Sequence, residues 1–197
     1  RATSDLLHQL VLATLDVVDP AKTMALAEES LAIAVELYGP RHPAVATREK
    51  SVARLLSLQG KPQDALAKIE HAHAILVAAY GAEHITVAST ELTRGTVLRT
   101  LGRNDDARTQ TLHALGILRA RLGDKHFWVA DALGSLALIE KRAKKLDLAL
   151  EYAQEAHAIM TTNLGAKTEG LVASYHTIAM LQRDLNKPAE AEASLRT

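Results

Sequence analysis

Residues 38–46 read Tyr38-Gly39-Pro40-Arg41-His42-Pro43-Ala44-Val45-Ala46, and the pattern returns at Tyr80-Gly81-Ala82-Glu83-His84 and Leu122-Gly123-Asp124-Lys125-His126. Each return comes 42 residues after the last. Three further columns keep the same phase. Glycine stands at Gly39, Gly81, Gly123 and Gly165; alanine at Ala65, Ala107, Ala149 and Ala191; proline at Pro20, Pro62 and Pro188. Columns that stay in register with no insertion or deletion mark an internal repeat, which settles the architecture before any single residue is considered.

Working outward from the joint, each unit reads as two helices. First helices are expected near 2–17, 43–59, 85–101, 127–143 and 169–185. Second helices are expected near 20–37, 62–79, 104–121, 146–163 and from 188 onward. Pro20, Pro43, Pro62 and Pro188 suit a first helical turn, where the missing N–H costs nothing. Asp19, His42, Lys61 and Lys187 stand at the boundaries, and only Asp19 is a strong cap by residue type. Gly39, Gly81, Gly123 and Gly165 suit left-handed C-terminal caps, as do Gly60 and Gly102, which Lys144 and Asn186 replace later. Within a second helix, Ala65, Ile69, Ala72, Leu76 and Ala79 recur at helical spacing and predict one buried face. Neither helix of a pair can bury its stripe alone, so the units must stack. The expectation is an all-α solenoid of antiparallel helix pairs, one array over 1–197. Its five units run 1–39, 40–81, 82–123, 124–165 and a truncated 166–197. Opening at Arg1 inside a helical pattern, the chain reads as a piece of a longer protein.

Composition fits this reading and narrows the function. Hydrophobic residues make up 48% and aromatics only 3%, so the core is built from Ala, Leu, Val and Ile. Lys plus Arg equal Asp plus Glu at 23 each, which removes any global pull toward nucleic acid or an anionic membrane. Too few aromatics exist to stack bases. The chain has no Cys, hence no disulfide framework and no thiolate nucleophile. No apolar run approaches the roughly 20 residues of a membrane span, and the expected compartment is cytoplasmic.

Ala53–Gly60–Ala65 and Gly95–Gly102–Ala107 match the small residue, glycine and alanine of the tetratricopeptide repeat, and the chain resembles that family over nearly its whole length. The 42-residue unit and its Tyr-Gly-x-x-His joint resemble the kinesin-light-chain subtype. The resemblance implies a right-handed superhelix whose first helices line a concave groove that receives a peptide. The light chains' paired asparagines correspond here to Lys50-Ser51, Leu92-Thr93, Gly134-Ser135 and His176-Thr177, and none of these pairs is Asn-Asn. Their mode of cargo binding is therefore not carried over. Arrays of this kind are common as arms of larger signalling proteins.

The function expected is a protein-interaction scaffold that binds a peptide or partner protein. Its groove residues are Lys50, Ser51 and Arg54 in the second unit, and Leu92, Thr93, Thr96 and Arg99 in the third. Ser135, Leu138 and Lys141 follow in the fourth, and His176, Thr177, Met180 and Arg183 in the fifth. Arg99, Lys141 and Arg183 share one column with Ser57 and lean basic, with Asp131 and Asp184 opposing. An acidic partner segment follows from that lean, since Arg suits bidentate contacts to carboxylates. Leu92, Leu138 and Met180 are either anchors for the partner or packing against the next repeat. The alternative reading is a self-association module forming homo-oligomers.

Nothing in the sequence assembles into a catalytic or metal site, and no cofactor is expected. His42, His84 and His126 belong to one column, too far apart to share a zinc ion, and their place before a helix argues for a role in the turn. His71 and His73 lie two apart and face different ways on a helix. There is no Gly-rich phosphate loop, Gly-x-Ser-x-Gly turn or His-Glu-x-x-His. Glu28-Glu29 and Asp105-Asp106 read as solvated helix faces. Trp128, beside Phe127, is expected to seal the joint between repeats.

Overall fold

Ten α-helices and no strand occur among residues 2–14, 20–164 and 169–195, which a computed structural model describes. The chain forms two compact units, Arg1–Arg103 and Asn104–Thr197. Unit 1 holds α1 (Ala2–Thr14), α2 (Pro20–Tyr38), α3 (Pro43–Leu58), α4 (Pro62–Tyr80) and α5 (Ile85–Thr100). Unit 2 holds α6 (Asn104–Leu122), α7 (Phe127–Arg142), α8 (Leu146–Leu164), α9 (Glu169–Asp184) and α10 (Pro188–Leu195). Within each unit every helix packs on its successor in sequence, and in unit 1 α3 also touches α1 and α5. Short connections between packed neighbours make each pair antiparallel. This is the α-solenoid arrangement expected. Asp19 and Gly165, expected caps, lie outside the described residues, as does the expected end of the first helix at 17.

Helix boundaries are set locally. The first helices α3, α5, α7 and α9 all end in the same double hydrogen bond. Gly60 N–H reaches Ser57 O and Lys61 N–H reaches Leu56 O; the same pair recurs at Gly102 and Arg103, Lys144 and Lys145, and Asn186 and Lys187. This closure satisfies two orphan carbonyls and needs a left-handed residue at its centre. Gly60 and Gly102 supply it at φ 75° and 79°, whereas Lys144 and Asn186 adopt φ 62° and 60° despite their Cβ atoms. The second helices end differently. Gly81 sits at φ 82°, ψ 158°, an extended region open essentially to glycine alone rather than the left-handed helical cap expected.

The start of each first helix depends on the repeated histidine. Nδ1 of His42, His84 and His126 accepts the backbone N–H two residues on, from Ala44, Thr86 and Trp128, each at 3.1 Å. The imidazole thus does the work usually left to Ser, Thr, Asp or Asn. Tyr38 stacks on His42 and Tyr80 on His84, with ring centroids 4.7 Å apart in both cases. Where Leu122 replaces the tyrosine, Trp128 instead meets His126 edge-on at 5.9 Å.

The core follows the columns with one amendment. Ala65, Ile69, Ala72 and Leu76 are buried on α4, but Ala79 is exposed and Ile75 takes the fifth buried place. The helix turns past the apolar stripe by its last turn, so strict spacing fails there. In unit 1, Ala53, Ala65, Ile69 and Val97 join α3, α4 and α5. In unit 2, Ala137, Leu150, Ala153, Ile178 and Leu181 join α7, α8 and α9. Small alanines let the helices approach closely, which a core so poor in aromatics requires. Among the polar groups taken inside, the buried Arg48 is well satisfied: it donates to Ser30 Oγ, Ala44 O and Asp5 Oδ1 at 3.2, 2.9 and 2.7 Å.

Candidate functional site

In unit 1 the expected face is built by α3 and α5. Lys50 projects from α3 and donates from Nζ to Ser89 Oγ on α5 at 2.9 Å. Among the described residues no carboxylate lies within ion-pair distance of it. Burial, and then the neighbouring Arg54 charge, push the Lys50 ammonium below the usual lysine value. Arg54 itself is exposed. On α1, burial and then the charges of Arg48 and Lys50 push the His8 imidazole down, with Asp5 opposing. The result is a local concentration of positive charge on a chain whose net charge is zero. Ser51 is buried beside it, and Leu92 is buried on α5 rather than presented as an anchor. Thr93 and Thr96 spend their hydroxyl protons on the carbonyls of Ser89 and Leu92, four residues back. Arg99 is half-buried in the last turn of α5.

In unit 2 the corresponding helices are α7 and α9. Ser135 and Leu138 of α7 and Thr177 of α9 line one cavity of about 250 Å3, floored by alanines of α7 and α8 and by Met160. Leu138 remains 38% exposed, so it does present apolar surface. His176, Met180 and Arg183 line a second cavity of about 280 Å3 between α9 and α10, with Pro188 and Ala191. Lys141 forms an ion pair with Asp184 at 3.3 Å, so the basic column is partly neutralised from within. Arg183 is exposed.

The histidines divide by role. His71 reaches Glu49 on α3 at 2.6 Å while His73 reaches Glu91 on α5 at 3.3 Å, so α4 is held to both neighbours through opposite faces. His157 bonds Ser174 Oγ at 2.8 Å and lies against the Tyr175 ring. Trp128 and Phe127 are 37% and 45% exposed. α7 begins at Phe127, so both rings stand on its first turn, and the expected seal leaves each of them partly exposed. Among the described residues no group of three His, Cys, Asp or Glu is placed to hold a metal ion. No described helix is long and apolar enough to cross a membrane.

Sequence reasoning placed Gly134 only as half of a paired column, and missed Ala173 and Met160, which shape the first cavity with it, and Ser89 and His8 beside Lys50. Their signal was present in the repeat columns. Lys50, Leu92, Gly134 and His176 occupy one column, so the glycine marks a place where a side chain is lacking.

Comparison with known proteins identifies the repeat family and the fold. The tetratricopeptide repeat profile matches residues 6–77, 52–120, 86–161 and 128–197. Among solved structures, BtubC (BKLC) from P. vanneervenii superposes with a TM-score of 0.79 at 19% identity, over 99% of this chain and 78% of that one. Nearly identical TPR-like repeats from Podosopora anserina, described as a kinesin light chain, give 0.72 at 19% identity, over 100% and 91%. The apo form of RapI gives 0.62 at 15% identity, over 99% and 78%. At these identities the likeness concerns the fold. No curated protein matches in sequence.

Proposed function

The chain belongs to the tetratricopeptide repeat family, a general protein-interaction scaffold, and from that premise we propose that it holds a polypeptide segment against the face made by its first helices. The observation that carries this reading is Lys50. An ammonium bonded, among the described residues, only to a neutral hydroxyl, beside an exposed Arg54 and held below its usual basicity by burial and that neighbour, is incompletely compensated. An acidic segment would supply the missing charge, and charge-assisted contacts are about twice as strong as neutral ones. Arg183, exposed on α9, extends the same preference along its helix, while Lys141, already paired with Asp184, contributes less than its column suggests.

Selection from a random peptide library tests the reading, followed by affinity measurement at low and high salt. Binders should be enriched in Asp and Glu. Replacing Lys50 and Arg54 together by Ala should weaken them roughly tenfold, about 1.4 kcal/mol, and flatten the salt dependence. Binders without acidic bias, with unchanged affinity in the variant, would overturn it. Recovery of the array alone, as a stable dimer, would favour self-association instead.

A further inference from the structure

The lysines whose surroundings are described fall into two groups, and Lys50 belongs to neither. Lys22, Lys61, Lys125, Lys144 and Lys187 stand exposed, where water solvates the ammonium. Lys68, Lys141 and Lys145 lie 3.7, 3.3 and 3.8 Å from carboxylate oxygens of Glu49, Asp184 and Glu140. Lys50 is partly buried on α3, and among the described residues its Nζ meets only the neutral Ser89 Oγ of α5. The charged and titratable groups around it are Arg54, one turn on along the same helix face, and His8 of α1, itself beside Arg48 and Asp5. The protonated amine is thus poorly compensated. Burial, and then the Arg54 charge, push it below the usual lysine value.

We infer that Lys50 is a modification site: its Nζ takes an acetyl group from an activated acyl donor, a thioester or an acyl phosphate, and the amide so formed switches off the preference for acidic segments. The uncharged amine is the nucleophile. Its lone pair forms the bond to the acyl carbon. The bond from that carbon to sulfur, or to the phosphate oxygen, breaks, and thiolate or inorganic phosphate departs. The nitrogen gives up one proton, to the departing group or to water. A small acyl group is implied, because the amine is only partly open to solvent. The fold tolerates the product. An acetamide keeps one N–H, enough to go on donating to Ser89 Oγ, and no ion pair with a described residue is lost. The same change at Lys68, Lys141 or Lys145 would take a cation away from a carboxylate. Acetylation removes one positive charge, at the point on which recognition of an acidic segment depends. The switch therefore rests on the function proposed above; the modification itself does not.

Treating the protein with acetyl phosphate, and in parallel with acetyl-CoA, and following each lysine by peptide mass spectrometry across pH tests the site. With at least one donor Lys50 should react several-fold faster than the exposed Lys22, Lys61 and Lys144. Its rate should level off at a lower pH than theirs. The donor that gives this selectivity identifies the source of the acyl group. Ser89→Asp, which sets a carboxylate beside Nζ, should slow Lys50 and leave the exposed lysines unchanged. Should that variant lose helix, Arg54→Gln is read instead, by an upward shift of the Lys50 pH profile. Lys50 reacting no faster than the exposed lysines with either donor, or unmoved by these variants, overturns the site. Protein acetylated at Lys50, and the Lys50→Gln variant, should bind the selected acidic peptides several-fold more weakly than untreated protein; equal affinity overturns the switch. If the peptide library shows no acidic bias while Lys50 still reacts first, the acidic-segment reading fails and the modification site stands.

Discussion

Glu140 of α7 is fully buried, and Arg108 of α6 donates to it from Nε. In the preceding repeat the same two columns hold Leu98 and Leu66, so an ion pair has taken the place of an apolar one. Bonding to Glu140 raises the basicity of Arg108 further. The second carboxylate oxygen accepts no hydrogen bond from the described residues and lies 3.8 Å from Lys145 Nζ.

This arrangement predicts an asymmetry. Arg108→Ala strands a buried carboxylate and should cost about 3–5 kcal/mol. Arg108→Leu combined with Glu140→Leu rebuilds the apolar columns and should be neutral or stabilising. Urea midpoints of the single and double variants check this; equal destabilisation by both would refute it.

The histidine caps should be individually measurable. His84→Ala removes the acceptor for Thr86 N–H and the ring stacked on Tyr80, and should cost about 1 kcal/mol. His84→Asn keeps a capping oxygen and should recover most of that loss. Thermal unfolding of the two variants separates capping from stacking, since only the latter is absent from both.

Lys144 holds a left-handed conformation at φ 62° in a column where Gly60 and Gly102 suffer no Cβ penalty. Lys144→Gly should therefore stabilise the protein by about 1 kcal/mol, and Asn186→Gly by less, because Asn tolerates that region better. A lowered melting temperature in Lys144→Gly would contradict this account of the closure.

His8 gives a pH dependence with a definite sign. Burial and the charges of Arg48 and Lys50 hold its folded-state value below the ordinary one near 6.5, with Asp5 opposing. The unfolded chain therefore binds its proton first. Stability is fully present above the ordinary value and is lost as pH falls from there through the lowered folded value. His157, lowered by burial, acts in the same direction in unit 2. Denaturant titrations at about pH 7.5 and 5.5 should show a smaller loss in His8→Asn than in the wild type.

Much of the fold was legible because each boundary is decided within a few residues. Pro43, Pro62 and Gly60 act on their own turns, and an unbroken 42-residue spacing carries the assignment to less marked repeats. The histidine cap was legible as a column, though its chemistry lay outside the usual capping residues. What escaped depends on pairs from different helices. Lys141 and Asp184 were read as opposing charges, but only packing shows them bonded. Gly134 reads in isolation as a weak helix residue; its meaning emerges when Ala173 is found across from it. Leu92 and Leu138 lie in neighbouring columns, yet burial separates them into a core residue and a surface one.

The absence of cysteine allows the central claim to be tested by single-cysteine labelling. Cysteines placed at Thr93, Ser135 and Thr177 report on the first-helix face, and those at Ala67, Ala120 and Ala158 on exposed positions of the second helices. Maleimide labelling rates would be compared with and without a saturating library-selected peptide. Protection at the first three positions, with unchanged rates at the second three, is the predicted result. Protection confined to Ala67, Ala120 and Ala158 would contradict it and place the binding surface on the other face.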